Sequence, residues 1–148
     1  MDVAGRVLRI LVVEDDPGRI EKLAEWLPAD LRRTIATSAG RAIGVVERDR
    51  GRVYAGILLD HDLQHQTASE SDRFLSGSDV VDAILKNVSR EALVLIHSVN
   101  VSQAAVMAAR LARAGFDVTQ VPMTELTREK LLDWVAEVRS AWEDYQTD

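Results

Sequence analysis

Three acidic residues follow two separate apolar runs of the sequence. Glu14 and Asp15 come directly after Ile10–Val13, and Asp60 comes directly after Gly56–Leu59. If these runs are neighbouring parallel strands, their carboxyl ends meet at one edge of the sheet, where the ligands of open sheets bind. Carboxylates gathered there would repel one another and raise each other's pKa unless a cation neutralised them. Because Mg²⁺ prefers a few carboxylates together with water and phosphate oxygens, the pattern predicts a metal site for phosphate chemistry.

The neighbouring Asp16 has a simpler explanation. Asp16-Pro17 is typical of a helix start, with Asp16 as the N-cap and Pro17 at the first helical position. The other three acids can also be read as solvated strand ends. Two distant strands that end in the same way favour the shared site.

All three histidines, His61, His65 and His97, fall beside the predicted pocket. An imidazole titrates near neutral pH and can take up or release a proton in phosphoester chemistry. A single histidine at a strand end is more often structural, but three at one mouth favour a chemical role. His65 lies in the polar segment Gln64–Ser76, which is longer than most connections and is read either as a surface insertion or as a lid.

Apolar runs alternate with helical patterns, which is typical of a parallel sheet with helices on both faces. The predicted strands are Val7–Val13, Arg33–Thr37, Gly56–Leu59, Leu93–Ile96 and Asp117–Val121. The predicted helices run from Asp16 to Pro28, along the face Ala39, Ala42, Ile43 and Val46 after a Ser38 cap, through Val81, Ile84, Leu85 and Val88, and from Ser102 to about Ala114 before Gly115. A (βα)₅ unit with strand order 2-1-3-4-5 would place the first and third strands side by side.

The last predicted helix spans roughly six turns and has one apolar stripe. The stripe consists of Leu131, Trp134, Val135, Val138, Trp142 and Tyr145. Core packing against the sheet is expected for Trp134. Trp142 and Tyr145 lie beyond the expected sheet edge, so they are open to a homodimer seam or a protein partner as well as to core packing.

The composition limits the function classes. A chain of 148 residues with 47% hydrophobic residues is expected to form one domain over 1–148. A net charge of −6 argues against general binding of nucleic acid or anionic membrane. The lack of cysteines and of a long apolar run near the start predicts a cytoplasmic protein without a membrane segment.

Three motifs resemble the response-regulator receiver domain. They are Leu11-Val12-Val13-Glu14-Asp15-Asp16-Pro17, Leu58-Leu59-Asp60, and a hydroxyl residue after the fourth strand. The resemblance covers Arg9 to about Glu137 and implies a flavodoxin-like three-layer sandwich. It further implies that Glu14 and Asp15 form the metal-site acid pair, that Asp60 is the phosphoacceptor, and that Asp62 gives a backbone carbonyl to the metal. Ser98 matches the hydroxyl that contacts the phosphoryl group, and a one-residue shift would put His97 there.

The chain departs from receivers after the fifth strand. Receivers carry a lysine before the proline at that point, whereas this chain has Val121 before Pro122. The lysines present are Lys22, Lys86 and Lys130, and periodicity predicts that all three lie on helices away from the pocket. Loss of that ammonium group weakens the expectation of ordinary phosphoaspartate switching.

A second pair of motifs narrows the resemblance. Asp60-His61-Asp62-Leu63 together with His97-Ser98-Val99-Asn100 is similar to the cyclic-phosphate-processing receiver domains. The leading hypothesis is therefore a phosphoesterase that acts on a small phosphoester or a nucleotide end carrying a cyclic phosphate.

The leading hypothesis gives each residue of the site a role. The expected catalytic residues are Asp60, His97, His61 and Ser98, and the expected ligands of Mg²⁺ or Mn²⁺ are Glu14, Asp15, Asp60 and Asp62. Asn100, Ser102 and His65 would bind phosphate or close over it. The alternative is a stand-alone receiver in a phosphorelay, or a pseudo-receiver that binds partners without catalysis.

Overall fold

The computed structural model describes residues 8–49, 54–64 and 69–147, and side chains as far as residue 144. It has five strands and five α-helices in strict alternation. The strands are β1 (Arg9–Val13), β2 (Arg32–Ala36), β3 (Gly56–Leu59), β4 (Leu93–Ile96) and β5 (Asp117–Gln120). The helices are α1 (Pro17–Trp26), α2 (Ala39–Arg48), α3 (Gly77–Asn87), α4 (Val101–Arg113) and α5 (Arg128–Thr147).

The strands form one parallel sheet in the order 2-1-3-4-5, as the sequence predicts. β1 is the strand next to β3, with Val13 opposite Leu59. This register fixes the site, because the residues that follow Val13 and Leu59 leave the sheet side by side. The flavodoxin-like fold class is therefore confirmed.

Each face of the sheet is covered by its own apolar core, which gives three layers. α1 and α5 cover one face, where Leu23, Leu131 and Trp134 are buried. α2, α3 and α4 cover the other face, where Val46, Ile84 and Met107 are buried. The alternation of side chains along parallel strands supplies both cores, which explains the nearly continuous apolar runs of β1, β3 and β4.

Helix caps explain most of the element starts. Asp16 accepts a hydrogen bond from Arg19 N at 2.9 Å and Pro17 begins α1, and Ser38 Oγ accepts one from Arg41 N at 3.2 Å. α4 begins at Val101 rather than at the predicted Ser102, because the side chain of Asn100 accepts a hydrogen bond from Gln103 N. These side chains satisfy amide groups that the first helical turn leaves unpaired.

Small differences from the predicted boundaries have local causes. β2 starts one residue early because Arg32 N donates to Leu8 O. The predicted first residue of the first strand, Val7, lies outside the described residues. After α4, Gly115 adopts φ of +104°, the left-handed conformation for which the helix end needs glycine.

The end of α5 contains Trp142 and Tyr145, the two residues for which a partner contact is predicted. Trp134 is buried and its ring lies against Gly56, where an added Cβ would come within 2.7 Å of it. Trp142, which was open to partner burial, is only half exposed and packs against the core beneath α5. The side chain of Tyr145 lies outside the described residues, so a partner or homodimer contact there stays a prediction. Among the helices that the structure describes, none is both long and apolar enough to span a membrane.

Candidate metal and phosphate site

The three predicted acids meet at the carboxyl edge of the sheet. Glu14, Asp15 and Asp60 each place a carboxylate oxygen within 4.8 Å of the other two. All three are buried, with exposed fractions of 0%, 1% and 1%. The backbone holds them there, because Asp60 N donates to Val13 O at 3.1 Å. We call these three residues the acid cluster.

Both carboxylate oxygens of Glu14 lie in hydrogen-bond contact with neighbouring groups. Its Oε2 accepts the amides of Asp15 and Asp16, both at 3.0 Å, and its Oε1 lies 2.9 Å from His97 Nε2. Burial acts to raise the pKa of Glu14. The hydrogen bond and positive charge of His97, with the Asp16 amide and Arg19, outweigh burial and lower that pKa below its ordinary value. Glu14 is thus held as a carboxylate without a metal.

The surroundings of Asp60 shift its pKa in the opposite direction from that of Glu14. Burial and the nearby charge of Glu14 raise the pKa of Asp60 to about 6, against weaker opposing effects from His97, the His61 amide and the Ser98 hydroxyl. Its Oδ1 accepts the His61 amide at 2.8 Å. Its Oδ2 is buried and accepts no hydrogen bond from the described residues. A buried carboxylate oxygen in that state lacks the partner that its desolvation requires.

An arginine completes the site that the carboxylates begin. One guanidinium nitrogen of Arg19 lies 4.0 Å from Glu14 Oε1 and 3.9 Å from Asp60 Oδ2. The sequence reasoning missed this residue. A signal was present, since the cap Asp16 fixes the start of α1 and so places the third helical residue near the strand ends. Arg19 brings a positive charge to the edge where the receiver lysine is replaced by Val121.

Val121 follows β5 at the position where receivers carry a lysine. Val121 is half buried and packs into the core beneath α1 and α5. As predicted, the three lysines lie on helices, Lys22 on α1, Lys86 on α3 and Lys130 on α5. Lys22 shares a groove with Arg19, because residues three apart on a helix face the same side.

The two histidines within the described residues have different environments. His97 is completely buried behind Glu14, and its Nδ1 has no hydrogen-bond partner in the described part of the chain. His61 keeps 15% of its side chain exposed, and its Nδ1 donates to Asp62 Oδ1 at 2.7 Å. This contact leaves Nε2 of His61 as the nitrogen available to a ligand. His65 lies outside the described residues.

The remaining predicted site residues come from the segment between β4 and α4. Ser98 is buried, and its Oγ accepts the amide of Asn100 at 3.1 Å. Asn100 caps α4 and its side-chain nitrogen lies 3.5 Å from Asp62 Oδ1. Ser102 is exposed in the first turn, and its hydroxyl donates to Asn100 Oδ1 at 3.3 Å. Hydroxyl and amide groups are therefore gathered on the side of the site formed by β4 and α4.

A close backbone contact positions the segment that carries Asp60 and His61. Gly77 N donates to His61 O at 2.8 Å, and a Cβ on Gly77 would lie 2.3 Å from Asp60 O. Only glycine allows α3 to begin this near the strand end. The start of α3 thus fixes the position of the backbone that carries Asp60 and His61.

The segment Gln64–Ser76 is anchored at its far end rather than loose. It contains a short 3₁₀ helix, Ser71–Phe74, in which Asp72 is only 2% exposed. Asp72 Oδ1 accepts the amide of Gly40 at 2.7 Å, at the N-terminus of α2. Gln64 also donates its side-chain nitrogen to Leu75 O at 2.9 Å. Residues 69–76 are mostly exposed at the surface but are tied to α2 through Asp72, so a deletion reaching Asp72 would remove a buried contact.

Comparison with known proteins gives the fold its class. No protein-family model matches the chain, and no curated protein matches its sequence. A CheY-like receiver domain from Methanospirillum hungatei JF-1 superposes with a TM-score of 0.69 at 17% identity, covering 94% of this chain and 98% of that one. A CheY-like receiver domain from Methylobacillus flagellatus gives 0.64 at 16% identity, over 89% and 98%.

A third structure is informative about the site. The receiver domain of a sensor histidine kinase from Pseudomonas aeruginosa PAO1 gives a TM-score of 0.66 at 20% identity, over 90% of this chain and 98% of that one. That crystal structure contains a magnesium ion coordinated in its active-site cleft. The present chain therefore has the fold of CheY-like response-regulator receiver domains, with a buried acidic cluster at the edge where such folds bind ligands.

The acid cluster fits a hard divalent cation. Its donors are carboxylate oxygens, it has like charges at short range, and Asp60 Oδ2 is a buried acceptor that no described group satisfies. Both oxygens of Glu14 already lie in hydrogen-bond contact with backbone amides and with His97. These features favour Mg²⁺ or Mn²⁺ over softer ions.

Proposed function

We propose that this protein binds a divalent cation and a phosphate group at the acid cluster and hydrolyses a cyclic phosphate or another small phosphoester. The observation that carries the proposal is the buried Asp60 Oδ2, which accepts no hydrogen bond from the described residues. The next residue, His61, has its imidazole hydrogen-bonded to the carboxylate of Asp62. The resemblance of Asp60-His61-Asp62-Leu63 and His97-Ser98-Val99-Asn100 to cyclic-phosphate-processing receivers agrees with it. The substrate is a phosphate-containing small molecule or a nucleotide end.

The acidic residues would hold the cation, and Arg19 would contact the phosphate. Asp15 and Asp60 would supply carboxylate ligands, and the resemblance to receivers implies the backbone carbonyl of Asp62 as a further one. A bound Mg²⁺ or Mn²⁺ would neutralise phosphate charge and orient water. The guanidinium of Arg19 lies 4.0 Å from Glu14 Oε1 and 3.9 Å from Asp60 Oδ2, so both ion pairs are long. The guanidinium can therefore turn to a phosphate oxygen at a small cost in free energy.

His61 is suited to the proton transfers. Hydrolysis of a cyclic phosphodiester forms one bond from water oxygen to phosphorus and breaks one phosphorus–oxygen ester bond. The water proton goes to His61 Nε2, the leaving oxygen takes a proton from solvent to become a hydroxyl group, and the His61 imidazolium then returns its proton to solvent, so no proton is gained or lost overall. Asp62 holds the Nδ1 proton and so keeps Nε2 ready as a base, while it stabilises the imidazolium that forms.

The β4–α4 side of the site would orient the phosphate. Ser98 lies close enough to Asp60 to affect its pKa, and it is therefore placed to donate to a phosphate oxygen beside that carboxylate. Asn100 and Ser102 stand at the N-terminus of α4, where the helix dipole favours an anion. His97 contributes as a positioning residue, because its contact with Glu14 buttresses the acid cluster from within.

A turnover assay tests the proposal. Wild-type protein is expected to hydrolyse nucleoside 2′,3′-cyclic phosphates only when Mg²⁺ or Mn²⁺ is present. Asp60→Ala is expected to abolish turnover, and His61→Gln to lower kcat by about a hundredfold, since a general base is worth roughly 10²–10⁴. His97→Ala is expected to reduce activity through the loss of Glu14 positioning. Lys86→Ala, an exposed change on α3, is the matched control and should behave as wild type. If wild type is as inactive as Asp60→Ala with every metal, the enzymatic proposal is wrong.

A second function is favoured by the surroundings of Asp60. The side chain of Asp60 faces both Ser98 and Arg19, so it has a hydroxyl and a cation near the oxygen that would carry a phosphoryl group. In this alternative the chain accepts a phosphoryl group as a receiver, or binds partners without catalysis. Arg19 would then stand in for the receiver lysine.

Small phosphodonors distinguish the two functions. Incubation with acetyl phosphate and Mg²⁺ should add the mass of one phosphoryl group at Asp60, stable for minutes, if the chain is a signalling receiver. If the chain is a phosphoesterase in which Asp60 acts as a metal ligand, no such adduct accumulates. Asp60→Asn serves as the control that cannot form an acyl phosphate.

A further inference from the structure

A groove of about 340 Å³ lies beside the acid cluster, between α1 and the segment that follows β5. It is lined by Asp16, Gly18, Arg19, Lys22, Met123 and Thr124. The volume is at the lower end of the range of roughly 300–1,000 Å³ that small-molecule sites occupy. Arg19 joins the groove to the acid cluster, because the same guanidinium lies 3.9 Å from Asp60 Oδ2.

The groove is positively charged in a protein of net charge −6. Its two cations are Arg19 and Lys22, and its one anion is Asp16. Asp16 is partly neutralised, since its carboxylate accepts the amide of Arg19 at the helix start. Met123 and Thr124 form the opposite wall and carry no charge. The groove therefore suits a ligand group that is anionic.

Arg19 and Lys22 bring two cations to one groove, so it can contact two anionic groups. They lie three residues apart on α1, which separates their Cβ atoms by about 5–6 Å. Both side chains are long, but Arg19 reaches toward the acid cluster, whereas Lys22 lies one turn further along the helix. The groove thus extends from the site of reaction to a second charged position.

We infer that Lys22 and the α1 groove form a second anionic subsite, which selects substrates that carry a phosphate beyond the one that reacts. This inference rests on the proposed function and names its substrate class, a nucleotide end with a cyclic phosphate and a further phosphate on its 5′ side. That further phosphate is either a terminal 5′-phosphate or the linkage to a preceding nucleotide. Both present non-bridging phosphate oxygens to the ammonium group of Lys22.

Turnover of three substrates tests the subsite and identifies the source of the second phosphate. They are a nucleoside 2′,3′-cyclic phosphate with a 5′-hydroxyl, the same compound with a 5′-phosphate, and a dinucleotide that ends in a 2′,3′-cyclic phosphate. Wild type should prefer a 5′-phosphorylated or linked substrate over the 5′-hydroxyl one by about threefold to tenfold in kcat/KM, as expected for one charge-assisted contact. Lys22→Ala should bring that ratio close to one, while Lys86→Ala keeps the wild-type ratio.

The preference should reside in KM and weaken as salt is added, because Lys22 touches no reacting atom. The inference is overturned if wild type shows no preference, or if Lys22→Ala and Lys86→Ala keep the same ratio.

Binding separates failure of the subsite from failure of the proposed function. In Mg²⁺, titration calorimetry compares a nucleoside 3′,5′-bisphosphate with a nucleoside 3′-monophosphate, for wild type, Lys22→Ala and Lys86→Ala. A tighter bisphosphate complex that weakens only in Lys22→Ala supports the subsite even if no substrate is turned over, in which case hydrolysis alone is rejected. Turnover without any Lys22-dependent preference rejects the subsite alone.

Discussion

Two buried carboxylates in this protein have opposite surroundings. Asp72 and Asp60 are exposed by only 2% and 1%. Asp72 meets a backbone amide at the start of α2, with Gly40 N 2.7 Å from its Oδ1. Asp60 meets two further acids, and its Oδ2 is left without a hydrogen-bond donor among the described residues. Burial of a carboxylate is therefore not in itself a sign of function, and its partners decide whether it holds the fold together or waits for a ligand.

The glycines beside the two carboxylates sharpen the contrast. A Cβ on Gly40 would lie 2.7 Å from Asp72 Oδ1, so the amide and the carboxylate can meet only because that position has no side chain. At Gly77 an added Cβ would meet the backbone of Asp60 and not its carboxylate. The first glycine completes a structural contact, whereas the second positions a carboxylate and leaves its side chain open.

The largest expected effect is on metal affinity. Asp15→Asn and Asp60→Asn should each weaken Mg²⁺ binding by about a hundredfold or more, since even indirect partners of a metal ligand are worth roughly 10–100-fold. Titration calorimetry, or the rise in thermal midpoint with added Mg²⁺, measures this. Asp72→Asn is the matched change at the other buried carboxylate and should retain wild-type affinity. Equal losses of Mg²⁺ affinity in all three variants would contradict the distinction between the structural carboxylate Asp72 and the metal-site carboxylates Asp15 and Asp60.

The next effect is on stability and should be confined to the Asp72 contact. Asp72→Ala should lower the free energy of unfolding by about 1–2 kcal/mol, because the partly buried amide of Gly40 loses its acceptor. Urea denaturation measures the change. Glu70→Ala, at the residue that precedes the same short 3₁₀ helix and with an exposed side chain, should have almost no effect. A stability of Asp72→Ala equal to that of Glu70→Ala would contradict a structural role for Asp72.

The third effect has the opposite sign. The folded state raises the pKa of Asp60 from 3.8 to about 6. Asp60 therefore contributes stability fully below pH 4, and that contribution is lost as the pH rises through 6 and the buried group ionises. Without metal, Asp60→Asn should be more stable than wild type by about 1–2 kcal/mol at pH 7.5 and lose that advantage near pH 4. Urea denaturation at both pH values in EDTA tests this, and a destabilised variant at pH 7.5 would show that Asp60 is not a strained carboxylate.

The smallest effect concerns a carboxylate that is only half buried. Asp79 Oδ2 accepts the amide of Ser76 at 2.8 Å in the capping box that begins α3. Asp79→Ala should cost about 0.5–1 kcal/mol, because the helix start loses one reciprocal hydrogen bond near water. Thermal unfolding measures it, and Mg²⁺ affinity should not change. A large loss of Mg²⁺ affinity would mean that the start of α3 supports the site more directly than its hydrogen bonds indicate.

Local patterns in the sequence were enough for the fold and for part of the site. The apolar runs of β3 and β4 match the predicted strands residue for residue. Asp16, Ser38 and Gly115 were readable as helix boundaries because caps depend on a few neighbouring residues. The acid cluster was predictable because parallel strands with the order 2-1-3-4-5 bring their carboxyl ends together.

Contacts between distant residues were not readable in this way. His97 and Glu14 are 83 residues apart, and their pairing depends on the position of β4 within the sheet. Asp72 reaches Gly40 across 32 residues, in a segment whose composition is typical of a solvated loop. Helical periodicity predicts the face of α1 on which Lys22 lies but not what stands opposite it, so the groove that Lys22 shares with Met123 and Thr124 was not readable.

The sequence by itself determined which residues end the strands and start the helices, since hydrophobic periodicity and capping act over a few residues. It thereby determined that Glu14, Asp15 and Asp60 share one edge. Only the tertiary structure decided how each charge is balanced, because the pKa and hydrogen bonding of a buried group depend on whatever the packing brings within a few ångströms. In this chain those neighbours are His97 for Glu14, a backbone amide for Asp72, and like-charged carboxylates for Asp60.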